Sequence, residues 1–250
     1  MVQIGLGALA GLESNTEETS SGSFAKFSSG TSYKVRVVGV EDVASFQNYG
    51  IFKEVNSFVA KNPATVNERG FAVDNLTVWD KASKFLYDKA AKATTEVQAE
   101  ELRKEAGKYR AKTRAIMAFI DLDTNLPIFV DVSQAQFKVI YGVITKNVKK
   151  LDKKAFELEK SGSGTSTTVS LTMLDLDDED DITEKQRENF KSWDGKSIDP
   201  SGFEGLNYEA DESQQIAFLR QGKFDPALIG YTENGVEGGS TEEDDEVLPF

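Results

Sequence analysis

Three observations predict a mainly β domain with helical insertions. Short runs in which apolar and polar residues alternate recur between residues 33 and 174. A segment rich in Ala, Lys and Glu interrupts them near the middle. One amphipathic stretch, with apolar residues three and four apart, stands late in the order.

The elements follow in chain order. Residues 11–32 are small, polar and aperiodic, so residues 1–30 read as a flexible leader. In SYKVRVVGV, Tyr33, Val35 and Val37 fall on one side of a strand and Lys34 and Arg36 on the other. A second strand is expected over roughly Ile51 to Val59, stopped by Asn62 and Pro63. Residues 78–106 read as an insertion of two helices that part near Thr94 and Thr95, and Gly107 ends the helical signal. A long strand is expected from about Tyr109 to Leu122, with a turn over Asp123 to Pro127 and a short strand from Ile128 to Val132.

Ser133 then caps an amphipathic helix over Gln134 to Lys150, with Phe137, Ile140, Tyr141 and Ile144 on its apolar side. Two strands flank the Gly/Ser/Thr segment 161–168 and finish near residue 174. An acidic, partly helical extension covers 175–235, with one helix capped by Thr183 and another near Glu212 to Arg220, and residues 236–250 form an acidic tail. Strand, strand, helical insertion, strand, strand, helix, strand, strand suits a small closed Greek-key barrel of the OB-fold type over residues 31–174.

A net charge of −13 conceals a division within the chain. From Asp175 onward there are 22 acidic residues against 6 basic, whereas residues 31–160 hold 22 basic against 17 acidic. A basic body joined to an acidic C-terminal third is the asymmetry of a nucleic-acid binder with an acidic tail. Neither Cys nor His occurs, which excludes disulfides, thiol nucleophiles, imidazole bases and zinc sites built from those residues. A carboxylate site for magnesium or calcium remains open in principle. DLDDEDD, residues 175–181, lacks the central Gly and distal Glu of a calcium loop and reads as a solvated linker, so no metal is expected. No glycine-rich phosphate loop or nucleophile elbow is present, and the expectation is a protein without enzymatic activity or cofactor. With no apolar run near the roughly 20 residues of a membrane span and no basic start of a secretory signal, the expected location is the cytoplasm, without a membrane partner.

The candidate binding residues mix cations with aromatic rings. They are Lys34, Arg36, Tyr49, Phe52, Lys53, Phe58, Lys61, Lys108, Tyr109, Arg110, Lys112 and Arg114. Cations track phosphates and rings stack on bases, which is the combination that sequence-tolerant single-strand binding uses. In KYRAKTR, Lys108, Arg110, Lys112 and Arg114 alternate, and on one strand they would share a face where like charges repel until an anion arrives. The helical insertion adds Trp79, Lys81, Lys84, Phe85, Tyr87, Lys89 and Lys92, which line a groove or anchor the helix to the barrel. At the end of the chain, Glu242, Glu243, Asp244, Asp245 and Glu246 precede Val-Leu-Pro and Phe250, a hydrated acidic run followed by an apolar tip.

A basic, aromatic body of OB type followed by an acidic segment ending in Phe resembles the single-stranded DNA-binding proteins of bacteria and tailed phages. YKVRVVGVEDV, NYGIFKEVNSFV and AFIDLDTNLPIFVDV look most like the phage-encoded type, in which a helical insertion interrupts the barrel. The resemblance implies coating of single-stranded DNA during phage DNA replication, recombination and repair in the bacterial cytoplasm. It also implies recruitment of a polymerase, helicase or primase through the acidic tail. Similar phage proteins can carry a Cys/His zinc site that this chain cannot form, and the chain has no obviously basic N-terminal arm, which argues against end-to-end cooperative binding by that route; self-association on DNA by another route stays open. The alternative is an acidic scaffold that binds a basic partner or mimics nucleic acid, favoured if the cations scatter among acids. A third class, a carboxylate-metal nuclease, would cleave DNA in the presence of magnesium.

Overall fold

The alternating stretches become strands β1 (Thr31–Arg36), β2 (Val43–Ile51) and β3 (Val55–Ala60), followed by a small hairpin of β4 (Thr65–Val66) and β5 (Ala72–Asp74). Helices α1 (Val78–Ala91) and α2 (Glu96–Tyr109) lead into β6 (Lys112–Asp121) and β7 (Leu126–Ser133). Then come α3 (Gln134–Lys146), β8 (Ala155–Ser161), β9 (Thr168–Leu174), α4 (Glu184–Ser192), β10 (Glu209–Ala210) and α5 (Glu212–Gln221). The computed structural model describes residues 24–68, 70–232 and 235–236. Over these residues the fold is mixed α/β, with five α-helices and one large sheet of eight strands.

Side-chain caps begin the helices where the sequence supplies them. The side chains of Thr77, Ser133, Thr183 and Asp211 each accept a bond from the backbone N–H of the third helical residue, whose own side chain accepts one from the backbone N–H of the capping residue. Thr95 caps α2, at the break expected between the inserted helices. Helix α2 nevertheless runs past Gly107 to Tyr109. Tyr109 is fully buried and its hydroxyl donates to the Gly222 carbonyl at 2.7 Å, so tertiary packing outweighs the cost of one helical glycine, about 1 kcal/mol. In consequence the following strand begins at Lys112 rather than near Tyr109.

The region expected to hold one strand, Ile51 to Val59, holds instead the end of β2, a turn and most of β3. β2 and β3 pair antiparallel around a turn at residues 52–54, and Lys53 adopts a positive φ of 64° there. No Asn-Gly or Asp-Gly pair marks this turn, which is why alternation alone did not separate the arms.

The sheet runs β10-β3-β2-β6-β1-β8-β9, with β7 on the other edge of β6, and every pairing is antiparallel except β3 with β10. Strand β6 is the hub. Its first half pairs with β2, from Lys112 opposite Asn48 to Met117 opposite Val43, and its end pairs with β1. Along the opposite edge, Arg114 to Asp121 face β7.

The expected closed barrel does not form. Among the described residues no pairing joins β7 to β9, and other elements occupy that seam. Helix α3 packs against β9 as well as β6 and β7. Residues 24–30 run from β7 to the start of β1, with the Ala25 N–H donating to Phe129 on β7 at 2.9 Å and the Gly30 N–H to Lys160 on β8 at 2.7 Å. Residues 24–30, expected as the end of a flexible leader, are instead held against the sheet, with Phe27 in the core. Residues 1–23 lie outside the described residues.

Strand β6 is buried on both faces. Ala115, Met117 and Phe119 point into a core shared with Val35, Val130, Ile140, Phe156 and Leu158. Ile116, Ala118 and Ile120 meet Phe129, Ile198 and, around them, Trp193, Phe203 and Leu206. The acidic extension thus supplies a second layer of the fold. Ile182 and Phe190 bury themselves against Leu122, Ala155 and Leu174, and burying each such side chain contributes about 1.5–3 kcal/mol. Phe190→Ala is expected to cost about 3–5 kcal/mol in a single cooperative urea transition. Two transitions, with the second at the wild-type midpoint, would show that the extension folds apart from the sheet.

Candidate nucleic-acid interface

The structure separates the expected binding residues into three environments. Tyr49, Phe58 and Tyr109 are interior. With Trp79, Phe218 and Phe224 they form a chain of ring contacts, 5.5 Å for Tyr49–Phe58, 5.2 Å for Phe58–Trp79, 5.6 Å for Trp79–Tyr109 and 5.3 Å for Tyr109–Phe224. The Tyr49 hydroxyl donates to the Asp80 carboxylate at 2.8 Å, and burial pushes it far above the ordinary phenol range. Trp79 donates to the Gln215 carbonyl at 3.0 Å. These rings join the β2–β3 hairpin, the helical insertion and α5; they are not platforms for bases.

A second group of cations is engaged within the fold. Arg36 is buried, with its guanidinium 4.3 Å from the Phe190 ring, bonded to the Phe190 carbonyl and paired with Asp194 at 2.8 Å. Lys34 donates to the Asp181 carbonyl. Lys108 lies in α2, paired with Glu105 at 2.6 Å, and Arg114 pairs with Asp131 at 2.7 Å. The four cations of KYRAKTR therefore do not share one strand face, since α2 continues through the first two residues of that stretch.

The remaining residues stay accessible. Phe52, 88% exposed, sits at the tip of the β2–β3 turn with the Lys53 ammonium 5.4 Å from its ring. Lys61 lies on the rim of an open groove of about 800 Å³ that also carries Phe46, Glu204 and Glu209. Arg110 and Lys112 meet in a cleft of about 340 Å³ with Thr113, Gln134, Tyr87 and Gly70. The β4–β5 hairpin borders this cleft. Asn67 closes the hairpin with bonds to and from Phe71, whose ring lies 4.0 Å from the Arg110 guanidinium and is 46% exposed. A bond of 3.2 Å from the Gln47 amide to the Thr113 hydroxyl ties the cleft to the edge of the larger groove.

Chemically the cleft offers two cations, one of them stacked on an exposed ring, and a second half-exposed ring from Tyr87. Such a set holds a phosphate and a flat base together. Sequence reading identified Arg110, Lys112 and Tyr87 but missed Phe71. Its signal was weak: one Phe following a Gly in a short polar stretch, without the length of a strand. Lys160 was missed because it ends a strand of mixed charge. Burial lowers its pKa, the Arg114 cation lowers it further and the Asp131 carboxylate works against both, so these three groups form one electrostatic cluster.

Among the described residues no group of three or more Asp or Glu side chains is placed to hold a metal ion, and no helix is long and apolar enough to cross a membrane. The acidic residues Glu242, Glu243, Asp244, Asp245 and Glu246, and Phe250, lie outside the described residues. Comparison with known proteins finds no matching family model, no matching curated protein and no matching solved structure.

A lysine whose pKa is lowered on folding destabilises the fold while it remains charged. That cost is present at neutral pH and disappears as pH rises toward the unfolded lysine value. In lysine-detected NMR, the Lys160 amine is expected to lose its proton below the ordinary value of 10.5, and Arg114→Met is expected to raise its pKa. A wild-type midpoint at or above 10.5, or a further decrease in the variant, would contradict this coupling.

Proposed function

We propose that this protein binds single-stranded DNA without strong sequence preference. The observation that carries the reading is the cleft in which Arg110 and Lys112 stand beside the exposed rings of Phe71 and Tyr87. Phosphates bind the cations and bases stack on the rings, with no hydrogen-bond code for sequence. An OB-type arrangement opened at one seam, with α3 across the gap, is the finer reading of the fold that accompanies this proposal. Through its resemblance to phage-type proteins, the proposed setting is coating and protection of single strands during DNA replication, recombination and repair in a bacterial cytoplasm. The acidic tail, Glu242 to Glu246 and Phe250, would then recruit a polymerase, helicase or primase.

The second reading, an acidic scaffold for a basic partner, draws support from the ion pairs that engage Arg36, Lys108 and Arg114. Titration of a labelled oligothymidine in rising salt separates the two. The expected result is tight binding at low salt, a steep loss as salt rises and preference over duplex. Phe71→Ala should weaken binding by about 1–3 kcal/mol, roughly 5- to 150-fold. Lys112→Ala should reduce the log–log salt slope by about 0.7, the value for one phosphate contact on a single strand. Absence of binding at low salt, or equal affinity for duplex, would overturn the proposal.

A further inference from the structure

Among the described residues, a further cluster of unpaired positive charge lies outside both the cleft and the KYRAKTR stretch. Over residues 134–154 there are six lysines and one carboxylate, Asp152, in a chain whose net charge is −13. Lys154 pairs with Asp175 at 2.8 Å. The other five, Lys138, Lys146, Lys149, Lys150 and Lys153, are exposed and make no side-chain ion pair or hydrogen bond to the described residues. A lysine in the last helical turn complements the negative end of the helix dipole, which accounts for Lys146. It leaves the rest as surplus, and like charges held this close repel one another.

Their placement continues the cleft. Gln134, the first residue of α3, lines the cleft beside Arg110 and Lys112, and Lys138 lies one turn further along the same side of the helix. Gly142 and Thr145 extend that line at helical spacing and are exposed; a Cβ at Gly142 would meet nothing within 4 Å, so internal packing does not call for glycine there. Beyond the helix, Lys149 and Lys150 occupy a 3₁₀ turn, Val148–Lys150, and Lys153 follows in the next turn. At 1.5 Å per residue the thirteen residues of α3 span about 20 Å, long enough to follow a strand for several nucleotides.

We propose that the exposed side of α3 and the lysine turn after it form a second, phosphate-tracking segment of the single-strand path, leading away from the Arg110–Lys112 cleft. This rests on the reading of the cleft as a single-strand site. It assigns unequal work to the two parts: the cleft stacks bases, while the helix, whose exposed side carries lysines without an exposed large ring, contacts the backbone alone. Short strands would fill the cleft only, and long strands would use both.

The test compares a five-nucleotide with a thirty-nucleotide oligothymidine on the full chain. The variants carry Lys146, Lys149, Lys150 and Lys153 all changed to Gln, or all changed to Arg. For the Gln variant the expected result is unchanged short-strand affinity, at least tenfold weaker long-strand binding at low salt, and a salt slope reduced by about 0.7 per lost contact. The Arg variant should retain wild-type values, which separates lost charge from a damaged fold. Wild-type binding that the Gln variant reproduces in affinity and slope would overturn the path while leaving the cleft reading intact. Failure of wild type to bind either strand would overturn both. If the Gln variant keeps its DNA slope but loses binding of a peptide with the sequence of residues 239–250, the lysines serve an acidic peptide and the proposal falls.

Discussion

Burial of strand β6 on both faces is the constraint from which the rest of the structure follows. A strand with apolar side chains at every position from Ala115 to Ile120 has no solvent face to offer, so each side needs a layer of its own. One layer is the core built with α3, β8 and β9. The other comes from residues 193–206, well beyond the last strand of the central core. The acidic extension is consequently part of the fold, held at its base by Arg36, whose guanidinium meets the ring and carbonyl of Phe190. Only the start of β6 escapes cover, and there Lys112 reaches the surface beside Arg110 and the β4–β5 hairpin.

Aromatic residues divide by the same logic. A ring buried against other rings gains area and favourable edge contacts, provided its hydroxyl or indole N–H finds a partner. Tyr49, Trp79 and Tyr109 each have one, in Asp80, the Gln215 carbonyl and the Gly222 carbonyl. They fasten the inserted helices to the hairpin and to α5 and have no face to give a ligand. Phe71 and Phe52 lie on turns, each with a cation over its ring, and both keep exposed surface that the interior does not use.

The elements read best from sequence were those with local signals. Thr95, Ser133 and Thr183 announce helix starts because capping is a matter of a few neighbouring residues. The strands around residues 161–168 follow from alternation, and a turn between β6 and β7 from turn chemistry, although Leu126 and Pro127, expected in that turn, belong to β7. What escaped depended on distant partners. Tyr109 stays helical because of Gly222, more than 110 residues away, and Arg36 looks like an exposed strand cation until Phe190 and Asp194 arrive from the extension. The candidate site was half visible for the same reason: a charge can be counted in a sequence, but whether a carboxylate neutralises it, as Asp131 does for Arg114, is settled by the fold.

A protein with a net charge of −13 presents cations to DNA only if they are concentrated and unpaired. Arg110 and Lys112 at the cleft, and the lysines that follow along α3, meet that description, while much of the negative charge resides in the C-terminal third. Mapping backbone amide shifts by NMR as oligothymidine is added tests this arrangement most directly. The expected result is a continuous band of perturbed residues at 70–71, 110–114 and 134–153, with Tyr49 and Phe58 unaffected. Perturbations confined to other surfaces, or none at saturating oligonucleotide and low salt, would contradict it.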